Sequence, residues 1–389
     1  MIDFTPRPEL QELREQVRAF VDAEIIPAEG AIWDENERGE YSTIELLQAK
    51  ARAAGLWTPH LPVDLGGKDL GPMGMAVLFR EMGRSFAGAK VFNCDAPDQG
   101  NMDLLAKVAS DSARERWLKP LCDGEITSAF CMTEPAPGAG ADPTNLRTTA
   151  RREGDEWVID GAKRWIGNAT QADIVVIWAK DAESGRVLGF IVPTTTPGFS
   201  ATRIERKISL RMVQNADIVL DGVRVPESLR LQGANSFRDT ARVLRLTRAE
   251  VAWSAVGVMM GAYEAAVRYT TERVQFGSPI AGHQLVQDLL AKSLGHITAS
   301  IALCVQVSRM LDEDRQEDAH SALAKAYATS RMREVVSWCR EVCGGNGIVT
   351  DYEVARFFAD AEALYTYEGT AQMNSLIVGR AITGQSAFA

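Results

Sequence analysis

Apolar residues recur at spacings of three and four near the start of the chain. Leu10, Leu13, Val17, Phe20 and Val21 fall on one side of a helix, with charged residues between them. Pro27 is expected to end this helix, because a proline inside a helix removes a hydrogen bond and crowds the preceding turn. The same periodicity predicts helices at 43–54, 75–86, 101–108 and 112–121, separated by joints rich in Gly and Pro such as 64–72. From about 128 to 231 the pattern changes to short runs of β-branched and aromatic residues, at 173–180, 187–192 and 216–225. No strand-then-helix alternation runs through this part, so a parallel nucleotide-binding sheet is disfavoured. After Asn235 and Ser236, expected as caps, long helical periods return at 238–273, 283–312 and 320–343, lengths that suit a bundle. Three parts are therefore predicted: a helical domain at 1–126, a strand domain at 127–234 and a helical bundle at 235–389.

Composition narrows the class. A chain of 389 residues, 46% of them hydrophobic, can bury a large core in more than one layer. A net charge of −10 leaves no basic excess for nucleic acid. The six cysteines lie scattered in apolar stretches, as free thiols in a reducing compartment do. Cys339 and Cys343 share a helix face but have no nearby second pair to complete a zinc site, so they are expected in the core. The first residues lack a signal-peptide pattern, and no run reaches the roughly 20 uninterrupted apolar residues of a membrane span. The expectation is a cytoplasmic protein without membrane insertion.

Common catalytic signatures are missing: there is no G-x-G-x-x-G after a strand, no P-loop, no G-x-S-x-G, and no metal spacing among the four histidines. What remains is a series of loop-like clusters at element boundaries. They are Phe130-Cys-Met-Thr-Glu-Pro135, Lys163-Arg-Trp-Ile-Gly-Asn168, Arg273-Val-Gln-Phe-Gly277, Cys343-Gly-Gly-Asn-Gly347 and Tyr365-Thr-Tyr-Glu-Gly-Thr370. Loops that combine Trp, Gly and polar residues can set backbone donors and a flat aromatic against a planar ligand.

In this order and at these separations the clusters closely resemble the acyl-CoA dehydrogenase family, over nearly the whole chain. Lys163-Arg-Trp-Ile-Gly-Asn-Ala169, Leu210-Arg-Met-Val-Gln-Asn215 and Gly379-Arg-Ala-Ile-Thr-Gly384 look most like the glutaryl-CoA dehydrogenase and short-chain acyl-CoA oxidase branch. The stretch 91–102 looks instead like branches that handle longer or unusual acyl groups. The resemblance implies a mostly α fold with a central β domain: an N-terminal helical domain, a middle antiparallel β domain and a C-terminal four-helix bundle. It also implies FAD, an acyl-CoA substrate, an electron-transfer flavoprotein as partner and a homotetramer.

Residue by residue, the resemblance makes Glu368 of Tyr-Glu-Gly-Thr the base that takes the α-proton of the thioester. The chemistry asks for such a group, because a carboxylate desolvated against a flavin is a suitable acceptor for a weakly acidic proton. Thr247 stands where some relatives carry the acid instead, and a threonine cannot serve as that base. Phe130, Met132 and Thr133 match the strand segment along the flavin ring, although Phe130 and Met132 also suit a plain core. Trp165 matches the ring-stacking tryptophan, with Ile166 beside it, and Gly167 stands where many relatives have threonine, as in the oxidase branch. Arg273, Gln275 and Phe276 match the segment that reaches the FAD of a neighbouring subunit. Gly344 and Gly345 match its close backbone approach, and Thr370 and Gln372 the adenosine end; as bare sequence, the glycines also read as a helix stop and Arg273 as a helix-end cation.

Gly140, Arg248 and Gly369 match substrate contacts, although the loop 134–142 is longer than usual and has Ala141 where serine is common. The arginine that holds a distal carboxylate in glutaryl-specific relatives is replaced near Val91, with Lys90 adjacent, which favours a neutral, short or medium acyl chain. Rival readings are an acyl-CoA oxidase, a flavin monooxygenase or nitroalkane-type oxidase, and a catalytically silent FAD-binding subunit.

Overall fold

A computed structural model of the chain describes residues 8–140, 142, 145–235 and 237–387, with the backbone alone over 237–246. The N-terminal part holds α1 (Pro8–Phe20), α2 (Ile26–Arg38), α3 (Ser42–Ala53), α4 (Gly71–Met82), α5 (Gly88–Val91), α6 (Asp98–Val108), α7 (Asp111–Ala113) and α8 (Lys119–Asp123). Leu10, Leu13 and Val17 are buried on one face of α1, as their spacing predicts.

Pro27, however, does not end the helix. A π turn over Val21–Ile25 joins α1 to α2, with the Ile26 N–H donating to the Val21 carbonyl, and Pro27 falls in the first turn of α2, where its missing N–H costs little. The helical path stops instead at Gly39, whose φ of 76° makes a left-handed cap.

The strand domain is one seven-stranded sheet of β1 (Ser128–Cys131), β2 (Thr149–Glu153), β3 (Glu156–Gly167), β4 (Ile174–Asp181), β5 (Val187–Pro193), β6 (Phe199–Arg203) and β7 (Asn215–Pro226). Its order is β1-β4-β2-β3-β7-β6, with β5 also paired to β4. Most neighbours are antiparallel, as expected, but β4 runs parallel to both β1 and β2, because the chain crosses over before returning as β4. Side chains alternate across β4: Val175, Ile177 and Ala179 join the core within the sheet, while Ile174, Val176 and Trp178 pack against Met102 and Leu105 of α6.

The C-terminal part comprises α9 (Phe237–Glu272), a hairpin of β8 (Val274–Gln275) and β9 (Ser278–Pro279), α10 (Gln284–Asp312), α11 (Asp318–Val342), α12 (Glu353–Thr366) and α13 (Ala371–Thr383). Ser236, expected as a cap of α9, lies outside the described residues, and the Asn235 amide donates to the Gln232 carbonyl at 2.8 Å. Among these helices α11 is central, packed on α9, α10, α12 and α13. By length and composition α10 could cross a membrane, but it packs along α9, α11 and α4. The six cysteines are free and buried, Cys339 and Cys343 among them.

The N-terminal helices and the bundle share one core, in which Leu78, Phe79 and Met82 of α4 meet Val256 and Met259 of α9. The two chains approach at backbone distance. A Cβ on Gly257 would lie 2.6 Å from the Gly83 Cα, and one on Gly83 would lie 2.9 Å from the Gly257 Cα, so neither position has room for a side chain.

Candidate active site

Glu368 lies in the turn between α12 and α13, where two successive residues are left-handed: φ is 53° at Glu368 and 81° at Gly369. For a glutamate this conformation is costly, so other contacts must hold the turn. Lys325, fully buried on α11, donates to the carbonyls of Tyr365 (3.1 Å) and Gly369 (2.6 Å). Asn374 donates to the carbonyls of Gly369 (2.8 Å) and Thr370 (3.0 Å). Thr370 starts α13, its hydroxyl accepting from the Met373 N–H. Burial lowers the Lys325 ammonium to about 8, against the pull of Glu368 and with the push of Arg248.

The Glu368 side chain points at α9, where the Thr247 hydroxyl donates to its Oε2 at 2.8 Å. Arg248 follows Thr247 on the same helix, half-buried. One turn further along α9 is Glu250, which burial and then the charge of Asp103 push up to about 8. Gln99 of α6 bridges the two acids, its amide donating to Asp103 Oδ2 and to Glu250 Oε1 at 3.1 Å each. Burial raises the Asp103 carboxyl as well, opposed by Lys107. Gln99, Asp103 and Lys107 follow at intervals of four on one face of α6. They line a cavity of about 150 Å³ together with Met75, Phe79 and Trp253.

The strand side meets the same helix. Asp98 and Asn101 of α6 bind Ser128 at the start of β1, the Asp98 carboxylate accepting from its N–H and hydroxyl at 2.6 Å each. Further along this segment, Phe130, Met132 and Thr133 are half-buried, with the Phe130 ring 6.2 Å from Trp178. The Thr133 carbonyl accepts from the Arg164 N–H at 2.9 Å, which sets this segment beside Trp165. Trp165 is left-handed, with φ 64°, at a bulge of β3 against β7, and its indole is 53% exposed while Ile166 is buried. An exposed flat ring and a half-buried threonine on adjoining segments suit a flavin, the ring by stacking on its face and the hydroxyl by a hydrogen bond to its polar edge.

Glu134, next along, accepts from the N–H groups of Ala139, Arg147 and Thr148. Burial raises its carboxyl, but these bonds outweigh that and hold it near 2. The Gly140 carbonyl accepts from the Glu134 N–H at 3.0 Å, so this acid organises the loop; Ala141 lies outside the described residues.

Apart from Gln372, the second residue of α13, the remaining expected residues lie on elements other than the Glu368 turn. Arg273, Gln275 and Phe276 are exposed on the β8–β9 hairpin, Phe276 by 95%. Gly344 (φ 58°) follows the end of α11, and it and Gly345 are exposed, as is Gln372 on α13. Val91 is fully buried in the helical core, and Lys90 is paired with Asp95 at 3.8 Å.

Sequence reading missed Gln99, Asp103, Glu250 and Lys325, and it considered Thr247 only as an absent base. A signal was present: Glu250 sits between Ala249 and Val251 in an apolar stretch, and Lys325 between Ala324 and Ala326. A lone charge inside a helix's apolar face needs a partner or a purpose.

Comparison with known proteins gives these parts a lineage. The N-terminal, middle and C-terminal domains of acyl-CoA dehydrogenase match residues 7–125, 129–223 and 237–383. A 3-(aryl)acrylate reductase of Clostridium sporogenes is 30% identical over 381 residues, 96% of this chain and 98% of that one. The crystal structure of a glutaryl-CoA dehydrogenase from Mycobacterium smegmatis superimposes with a TM-score of 0.89 at 33% identity, covering 99% of this chain and 97% of that one. A glutaryl-CoA dehydrogenase structure from the same organism, in complex with FADH2, gives 0.87 at 29% identity with the same coverage. The chain belongs to the acyl-CoA dehydrogenase family and is an FAD-dependent oxidoreductase of that kind.

Proposed function

We propose that the chain carries out α,β-dehydrogenation of an acyl-CoA thioester to the trans-2-enoyl-CoA, with Glu368 as the base for the α-proton. FAD supplies, when bound, the hydride acceptor for the β-carbon. The observation that carries this reading is the 2.8 Å hydrogen bond from Thr247 to the Glu368 carboxylate, made from a turn whose backbone is clamped by Lys325. A carboxylate anchored at one oxygen presents the other in a fixed direction, and such positioning is much of what a general base needs. The Glu368 N–H makes no hydrogen bond among the described residues, so it is available as a donor to the thioester carbonyl, where developing charge needs one.

In this reading Phe130, Met132, Thr133, Trp165 and Ile166 face the flavin ring, while Gly140, Arg248 and Gly369 face the thioester arm. Arg273, Gln275, Phe276, Gly344, Gly345, Thr370 and Gln372 serve the far half of FAD, the hairpin reaching a neighbouring subunit of a homotetramer. The exposure of that hairpin supports this assignment, since a 95% exposed Phe276 gains from a partner's surface. Electrons leave to an electron-transfer flavoprotein. With Val91 in the core where glutaryl-specific relatives carry an arginine, the acyl end is neutral rather than a carboxylate.

The test is Glu368→Gln. The variant is expected to retain FAD yet fail to bleach it when mixed anaerobically with acyl-CoA; reduction at the wild-type rate would refute the role. An oxidase is the second reading, favoured by Gly167, where an added Cβ would lie only 3.2 Å from Val213 Cγ1. Peroxide formed with oxygen as the sole acceptor, at the rate seen with an artificial acceptor, would establish it.

A further inference from the structure

The 150 Å³ cavity between α4, α6, α9 and α10 has a chemistry that the proposed reaction leaves unexplained. An apolar cavity of about that size engineered in another protein holds benzene, so the space suits a six-membered ring. Met75, Phe79 and Trp253 give it apolar walls, and Gln99, Asp103 and Glu250 give it a polar one.

His60 adds a further wall. Its ring lines the same cavity, its Nδ1 is engaged with the Cys94 sulfur at 3.4 Å, and its Nε2 is buried without a partner. Burial lowers the imidazole to about 3, so the ring is neutral and one of its nitrogens remains unused.

The cavity lies one helical turn from the candidate base, whose charge adds to the rise of the Glu250 carboxyl. Glu250 follows Thr247 by one turn of α9, and a Cβ on Gly100, next to Gln99, would lie 3.9 Å from the Thr247 methyl. With Glu368 as the base, an acyl chain whose α-carbon lies there extends toward this space.

We propose that the cavity holds the distal end of the acyl group and selects a six-membered ring bearing a hydroxyl, with the polar wall of Gln99, Asp103 and Glu250 as its recognition surface. The proposal rests on the reading of Glu368 as the base. A hydroxyl both donates and accepts. It can donate to the Asp103 carboxylate and accept from Glu250, which burial keeps largely protonated at neutral pH. A methyl in its place offers the two acids no hydrogen bond beyond those from Gln99, and a carboxylate meets Asp103 as a like charge, which Lys107 only partly offsets.

The experiment uses the FAD-loaded enzyme and three ring-bearing thioesters: 3-(4-hydroxyphenyl)propanoyl-CoA and its 4-methyl and 4-carboxy counterparts. Flavin reduction and kcat/KM are expected to favour the hydroxyl over the methyl compound by at least about 10-fold, with the carboxylate slowest. Asp103→Leu is expected to reverse the hydroxyl–methyl order. Equal rates for the two, or the carboxylate as the best of the three, would overturn the proposal. If all three fail while straight-chain acyl-CoA reduces the flavin, the ring proposal falls and the dehydrogenase reading stands. If no thioester reduces it, both fall.

Discussion

Glu368 occupies a backbone conformation that L-residues avoid at a cost of about 1–2 kcal/mol, and four hydrogen bonds from Lys325 and Asn374 hold the carbonyls around it. The side chain is then oriented by Thr247. A hydrogen bond to a charged group contributes about 1.5–3 kcal/mol, so Thr247→Val is expected to slow flavin reduction by roughly 10- to 100-fold while FAD content stays at the wild-type level. Stopped-flow mixing with acyl-CoA measures it; a rate within twofold of wild type would remove Thr247 from the site. The sequence made Glu368 conspicuous through Tyr-Glu-Gly-Thr, but it could not pair that residue with one 121 positions earlier.

At the scale of elements, the site depends on how closely α4 and α9 approach. The Gly83–Gly257 contact puts these helices at backbone distance, and the cavity opens between them. Gly257→Val is expected to force them apart, lowering Tm by several degrees and loosening the cavity, since overpacking costs about 1–3 kcal/mol or more. Thermal unfolding with an intact far-UV spectrum checks this. Helix periods and strand runs were legible because one buried face imposes its period on the sequence. The passage through Pro27 was not, because a π turn is a local solution that the hydrophobic pattern does not encode. The parallel β1–β4 and β2–β4 pairings escaped for a related reason, since pairing partners depend on chain path and not on composition.

At the scale of the whole molecule, helices and sheet are joined by polar contacts: the Tyr41 hydroxyl accepts from Gln171 and Gln214, and Asp360 accepts from the Leu210 N–H at 2.7 Å. Buried acids also link stability to pH. Burial pushes Glu29 and Asp98 up to about 7 and Glu250 to about 8, above their ordinary 4.5, 3.8 and 4.5. Up to those raised values the folded state keeps protons that the unfolded chain has released, so this stabilisation is full at low pH and is lost as pH rises through 7 to 8. Below its ordinary 6.5, His60 acts in the opposite sense, because it stays neutral when folded. Denaturant unfolding between pH 6.5 and 8 is therefore expected to show stability falling with pH, and Glu29→Gln is expected to flatten the slope; a rising slope would contradict the assignment. By itself the sequence determined the three-part layout, the helical and strand periods and the motif glutamate, because these are local patterns repeated at fixed spacing. Only the tertiary structure decided that Thr247 and Lys325 meet around that glutamate and that the α6 face meets Glu250 one turn away, because contacts between distant helices follow from packing, which no single stretch of chain records.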